Sequence, residues 1–419
     1  MKSTFFTGSL FLITIFLTAF ISHIPIVLGQ CVDFQTIIDC KFATLSNCQI
    51  IKESKQKYPK ILINNLKGIF KNGKSFLTTN NTSSKNESEN EPPSASSQNM
   101  IQLSFSCDLN DTNTCNAGPS RLIPLQDSDG VTRLYSQALA KQFQFDSHPE
   151  FAPFDILASF TSVGNVFWFR DDPSPPTNTQ VDFELVVTHE LMHGLGFLSS
   201  WNDFFIPYIS NGLTPFPSFI LSTEGPDVPP KNGTITFTGF QETAFDRYLV
   251  LTNGTSLSTV TSNINQFAGG PNAGTKFDNK TAFVNAFKSS PQFSFAADIF
   301  NKASTASSMA FMTHDAKTVN DACLLETSLE PYLSGSSISH TDFSTFSNST
   351  DFLMIWKAPR GVTLDQLTKA NATNQIGVIG PQVIKILETL GYKTANNPNP
   401  YKPNAPSLDQ NNNNQWQKK

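Results

Sequence analysis

Two histidines four residues apart, His189 and His193, with Glu190 directly after the first, constrain this chain more than any other feature of its sequence. The apolar run Leu185-Val186-Val187 ahead of them predicts a buried helix from Phe183 to about Leu195. On a helix, residues four apart lie one above the other on the same face, so both imidazoles reach a single metal ion. Thr179 and Asp182 read as a capping box at the helix start, and Gly194 and Gly196 as its stop. The five-residue pattern fixes only three positions. Its competitor is a pair of ordinary histidines, satisfied in a core or exposed on a surface helix.

Zinc chemistry of the hydrolytic kind needs three protein ligands and one open position, where the ion lowers a water's pKa to about 7. Glu190, beside the first ligand, is placed to take that water's proton and pass it to a leaving amine. The third ligand decides the subclass. A ligand close behind the helix would fall at position 199, which is Ser199, and Asp203 is a nearby replacement. His148 sits in a turn-like Asp-Ser-His-Pro, whereas His314, in Met-Thr-His-Asp, competes with His340. A glutamate further along, Glu224 or Glu242, gives a two-histidine, one-carboxylate alternative.

The segment from His189 to Phe197 reads H-E-x-x-H-x-L-G-F. A long intervening stretch leads to Ser336-Ser-Ile-Ser-His340, followed by Thr350-Asp-Phe-Leu-Met354 and a last helix ending Leu390-Gly391-Tyr392. In these segments the chain resembles the leishmanolysin family of metzincin zinc peptidases, as a divergent member. The resemblance implies His340 as the third zinc ligand and Met354 as the methionine of the turn beneath the metal. It implies an α+β zincin fold: a twisted mixed sheet with the His189 helix, a long β-rich insertion over about 200–333, and a C-terminal subdomain with the methionine turn and closing helix. Phe154–Phe160 is similar to the edge strand that such enzymes offer to an extended substrate, with an interior strand as the other reading. The chain departs from the family in its few cysteines and in Thr341 after the third histidine. Cys31, Cys40 and Cys48 are candidates for a zinc-blocking switch, against the alternative of disulfides.

The N-terminus, Met-Lys-Ser and then apolar residues to Leu28, has the layout of a secretory signal cleaved near Gly29. Six cysteines follow, with Cys107 and Cys115 the best local disulfide pair, and Asn-x-Ser/Thr sequons recur from Asn80 to Asn371. These features point to an extracellular glycoprotein with no stable membrane insertion after signal cleavage. A net charge of −5, without dense Lys/Arg runs, gives no support for nucleic-acid binding. The expected organisation is a signal over 1–29, a Cys-containing segment and polar linker over 30–99, a catalytic domain over 100–395, and a disordered polar tail over 396–419. Within the domain, helical spacing is read over Val131–Phe143, strands over Phe154–Phe160 and Val166–Phe169, and insertion helices with the best near Ala282–Phe287. Gly380–Gly391, with Pro381 at its start, reads as the last helix. The expected function is a secreted zinc endopeptidase acting on protein or peptide substrates. The alternatives are a catalytically inactive secreted glycoprotein on the same scaffold, or a zinc hydrolase of non-peptide amides.

Overall fold

Aromatic residues supply much of the centre of the molecule, as 37 phenylalanines lead one to expect. One continuous hydrophobic core runs from Ile123 through the Phe237, Phe283 and Phe287 cluster to Tyr392. The computed structural model describes residues 115–145, 151–161, 165–221, 233–371 and 378–404, together with the backbone of short strands at 32–33, 77–78, 101–108, 147–149 and 416–418. The expected signal, most of the N-terminal Cys segment, the polar linker and Glu224 lie outside the described residues. So does the side chain of Cys107, and with it the expected bridge to Cys115.

The chain forms a mixed α/β structure with several small sheets. Strands β1 (Ile101–Asp108) and β2 (Cys115–Pro119) flank a later strand, β5 (Ile156–Thr161), parallel and antiparallel respectively. Leu77–Thr78 adds to the far side of β1, so β2 is an edge of this sheet among the described residues. Of the two readings of Phe154–Phe160, the interior strand is the one found: β5 is paired on both sides, and the outer strand beside the histidine helix is β2.

Strand β3 (Arg121–Gln126) turns at Asp127–Gly130 into β4 (Thr132–Ser136), and the short helix α1 (Gln137–Gln142) follows. A helix over Val131–Phe143 was the expectation. Its first half is strand, because the Asp-Ser-Asp-Gly turn allows 132–136 to fold back on β3 and bury Arg133, Leu134 and Tyr135. Two parallel two-residue strands, β6 (Phe167–Trp168) and β7 (Val181–Asp182), lead into helix α2 (Phe183–Gly194).

The α2 start differs in detail from the expected capping box. Asp182 itself is the cap, its Oδ1 accepting from Glu184 N at 2.8 Å and Leu185 N at 3.4 Å. At the other end, Phe197 N donates to Met192 O and Gly196 N to His193 O, with Gly196 at φ +112°. This is the Schellman stop, which needs a glycine at the left-handed position. Gly194 has another reason to be glycine. A Cβ there would lie 2.3 Å from Ile156 Cγ2, so α2 crosses β5 at a point with no room for a methyl group.

The long stretch after α2 shares the core and is more helical than expected. It holds one sheet of β8 (Phe216–Leu221), β9 (Ile235–Gln241) and β11 (Lys276–Phe277). A second contains β10 (Leu249–Leu251), β12 (Met309–Phe311) and β13 (Cys323–Leu324). Between them lie α3 (Leu257–Ile264), α4 (Lys280–Lys288) and α5 (Phe293–Lys302). Helix α4 covers the expected Ala282–Phe287. Helix α3 is rich in β-branched and hydroxyl residues, which disfavour helix, yet Leu257, Val260 and Ile264 bury at helical spacing and Ser256 caps its start.

Helix α6 (Leu364–Asn371) starts where Leu364 N donates to Asp182 Oδ2. Helix α7 (Pro381–Leu390) ends at Gly391. Beyond it, residues to 404 are ordered rather than a free tail. The Tyr401 hydroxyl donates to Asp127 Oδ1 at 2.8 Å, Asn404 N donates to Gln126 O, and the Arg247 guanidinium lies 4.0 Å over the Tyr401 ring. No helix among the described residues is long and apolar enough to cross a membrane.

Candidate metal centre

Helix α2 carries His189 and His193 on one face, while His340 arrives from a loop well over a hundred residues later. The three offer ligand atoms within 4.8 Å of one another, the one such set of ligating side chains among the described residues. His189 Nε2 lies 3.1 Å from His340 Nε2 and 3.2 Å from His193 Nε2. Each Nδ1 faces a main-chain oxygen: Leu353 O at 2.7 Å for His189, Phe197 O at 2.8 Å for His193, and Ser336 O at 2.9 Å for His340. A carbonyl can only accept, so the ring protons reside on Nδ1 and three Nε2 lone pairs face a common point. Lone pairs in that arrangement repel one another unless a cation lies between them.

Burial keeps all three rings neutral. It depresses His189, and it brings His193 down to about 3 with further help from the neighbouring His189. His340 is pushed well below the ordinary range by burial, then by His193 and His189.

Local structure explains each position. The Schellman turn swings Phe197 O onto the His193 ring. The turn Phe352–Met354 supplies the carbonyl for His189, and Thr341 N donates to Met354 O at 2.8 Å, tying that turn to the residue after His340. Met354 is fully buried. The histidine loop is held by Glu326: its N–H donates to His340 O, its carbonyl accepts from Ile338 N, and its buried carboxylate accepts from Phe343 N and Ser328 N. Ile338 sits at φ +69°, an uncommon place for a β-branched residue, where this clamp holds it two residues before the ligand atom.

Glu190 is on the same helix, which packs against β2, and the Ala117 N–H of that strand acts on its carboxylate. Burial pushes its carboxyl up to about 8, with that N–H acting in the opposite direction. Beside it opens a cleft of about 270 Å³ whose lining includes Leu185, Val186, His189 and Glu190 on one side and Phe352, Leu353 and Ile355 to Arg360 on the other.

The other third-ligand candidates lie elsewhere. His314 N donates to Thr389 Oγ1 on α7, and its Nε2 is 3.7 Å from Glu388 Oε2. Glu242 accepts from Arg133 Nε at 2.7 Å in a buried ion pair. Asp203 and Ser199 are outside the converging set, and Ser199 instead donates N–H to Ser339 Oγ and Oγ–H to Asp246. His148 pairs through its backbone with Gln417. Glu326, Asp246 and the Ala117 N–H carry no local sequence signal. Their roles arise from contacts between segments far apart in the chain.

A family model described as SPBPB7E8-like matches residues 93–416, which take in all three histidines and Glu190. An uncharacterized protein of Schizosaccharomyces pombe, PB7E8.01, is 28% identical over 292 residues, covering 67% of this chain and 50% of that protein. The chain thus spans about half the length of this curated relative. No solved structure matches it. Because the family model takes in well over half of its residues, the chain belongs to the SPBPB7E8-like family.

Proposed function

We propose that this protein is a secreted zinc endopeptidase in which His189, His193 and His340 hold the metal and Glu190 is the general base. The observation that carries this reading is the convergence of three Nε2 lone pairs beside a buried glutamate at the mouth of a cleft. Their separations of 3.1 and 3.2 Å are close to the roughly 3.3–3.4 Å between ligands at tetrahedral angles around an ion with nitrogen bonds of about 2.0–2.1 Å. Three neutral nitrogen donors suit zinc, and main-chain carbonyls behind the rings fix their tautomer. Zinc, when bound, supplies the Lewis acidity that polarises a carbonyl and acidifies a water. Glu190 takes the proton from the attacking water and returns it to the departing amine. The resemblance to leishmanolysins extends the reading to a zincin-type scaffold, with Met354 in the turn under the metal. Secretion is supported by the N-terminal signal layout and by exposed sequon asparagines at Asn253, Asn279 and Asn348.

The test is zinc content and casein cleavage by the full secreted chain. Glu190→Ala should keep about one zinc per chain and lose turnover by on the order of a thousandfold or more. His340→Ala should lose zinc, and His314→Ala should retain it. Casein cleavage by Glu190→Ala at the parent rate, or full zinc in His340→Ala, would refute the assignment.

A further inference from the structure

The cleft beside Glu190 has an uneven charge. Its floor is apolar, through Leu185, Val186 and Phe352, and among the described residues Glu190 is the one carboxylate that lines it. Its outer wall carries two exposed cations, Lys357 and Arg360. The Arg360 guanidinium spends one N–H on Thr179 O at 2.9 Å, and Lys357 Nζ lies 5.9 Å from the Trp356 ring. Neither forms an ion pair among the described residues. Two cations over an apolar floor, beside the proposed base, describe a receptor for an aliphatic stem that ends in an anion.

The direction of a bound peptide follows from the sheet. Helix α2 packs against β2 and the Ala117 N–H acts on the Glu190 carboxylate, so the proposed reaction centre is level with the middle of β2, while Cys115 at the start of β2 lines the cleft. A peptide adding to this edge in the antiparallel sense runs from Pro119 toward Cys115. It therefore passes Ala117 first and the cleft afterwards. Two residues of strand cover roughly 6.6 Å, a distance that one side chain bridges. The side chain entering the cleft thus belongs to the residue after the bond that lies beside Glu190.

We propose that Lys357 and Arg360 select peptides carrying a carboxylate on the residue that follows the cleaved bond, a glutamate side chain fitting best. This rests on the peptidase reading above and adds the substrate class to it. A chain-terminal carboxylate has the same chemistry, and the test separates the two sources.

Fluorogenic peptides differing only in that residue, Glu, Gln or Lys, each with a free or amidated C-terminus, are assayed with the zinc-loaded full chain. Glu should exceed Gln in kcat/KM by about tenfold, with or without the terminal amide, as a partly desolvated ion pair allows. The double variant Lys357→Glu/Arg360→Glu should invert the order, favouring Lys over Glu. The second measurement is binding of labelled product peptides that begin with Glu, Gln or Lys, read by fluorescence anisotropy. The Glu peptide should bind about tenfold tighter than Gln, losing this margin in high salt. Cleavage without preference among Glu, Gln and Lys overturns the proposal and leaves the peptidase reading standing. A preference that follows only the free C-terminus overturns the side-chain assignment. Selective, charge-reversible binding without cleavage of any peptide upholds the carboxylate site and sinks the peptidase reading instead.

Discussion

Asp246 offers a quantitative test of how the third histidine is held. Its carboxylate is fully buried and collects donors from two segments. Oδ2 accepts from Ser200 N at 3.0 Å, Thr243 N at 2.8 Å and Thr243 Oγ1 at 2.9 Å, as well as from Ser200 Oγ; Oδ1 accepts from Ser199 Oγ at 2.7 Å. In Asp246→Ala the hydroxyls can rotate to other acceptors, but the two backbone N–H groups cannot. Each buried N–H left unpaired costs about 1–3 kcal/mol, so the variant should lose about 2–6 kcal/mol of stability. Asp246→Asn can keep its oxygen at the Oδ2 position and turn its NH2 toward Ser199 Oγ, which then accepts. Burial already pushes the Asp246 carboxyl upward, so a neutral amide is a close substitute, and its loss should be under about 1.5 kcal/mol. Ser199 N also donates to Ser339 Oγ, next to His340, so Asp246→Ala should weaken zinc affinity by roughly tenfold or more, with Asn near the parent. Urea unfolding and competition with a zinc chelator measure the two quantities. Equal losses in Ala and Asn would refute the donor accounting. A destabilised Ala variant with parental zinc affinity would refute the link from Asp246 to His340.

Gly194→Ala should cost about 1–3 kcal/mol through overpacking against Ile156, and the double variant with Ile156→Ala should cost less than the sum of the two single losses. An additive result in denaturant would show that the two side chains do not collide. Asp365 accepts from Arg170 at 2.9 Å, and this bond holds its carboxyl below the usual range. A depressed folded value gives stability that is present above the unfolded value of 3.8 and lost as pH falls through the folded one. The pair is exposed, so Asp365→Asn should cost under about 1 kcal/mol at pH 6, and the loss should shrink as pH falls below 3.8. Thermal melts over that range check it, and a gap that widens in acid would contradict the assignment.

The parts of the site that were legible in sequence are those whose information is local. The spacing of His189 and His193, the glycine at 196 and the proline at 381 each act within one helical turn of themselves, and the elements around them form where the pattern places them. His340 was reached through its surrounding motif and not through spacing, since nothing local separates it from His314. What could not be read depends on partners distant in the chain. Thr132–Ser136 becomes strand because β3 is available to pair with it, and β2 emerges as the edge only once β1 and β5 are side by side. Helix α3 forms against its own propensities because Leu257, Val260 and Ile264 find a core made by other segments. Tyr401 orders a polar stretch through Asp127 and Arg247, two residues that composition alone could not connect to it.

The rings of His189, His193 and His340 all lean on peptide oxygens, and no side chain performs that task. Substitution at Leu353, Phe197 or Ser336 therefore leaves the supporting atom in place, and only a change in the path of the main chain can remove it. The vulnerable points of the centre are accordingly its bends, at Gly196, at Ile338 and at the Phe352–Met354 turn. A neutral oxygen also donates less charge through an imidazole than a carboxylate does, which leaves a bound cation the more electron-hungry.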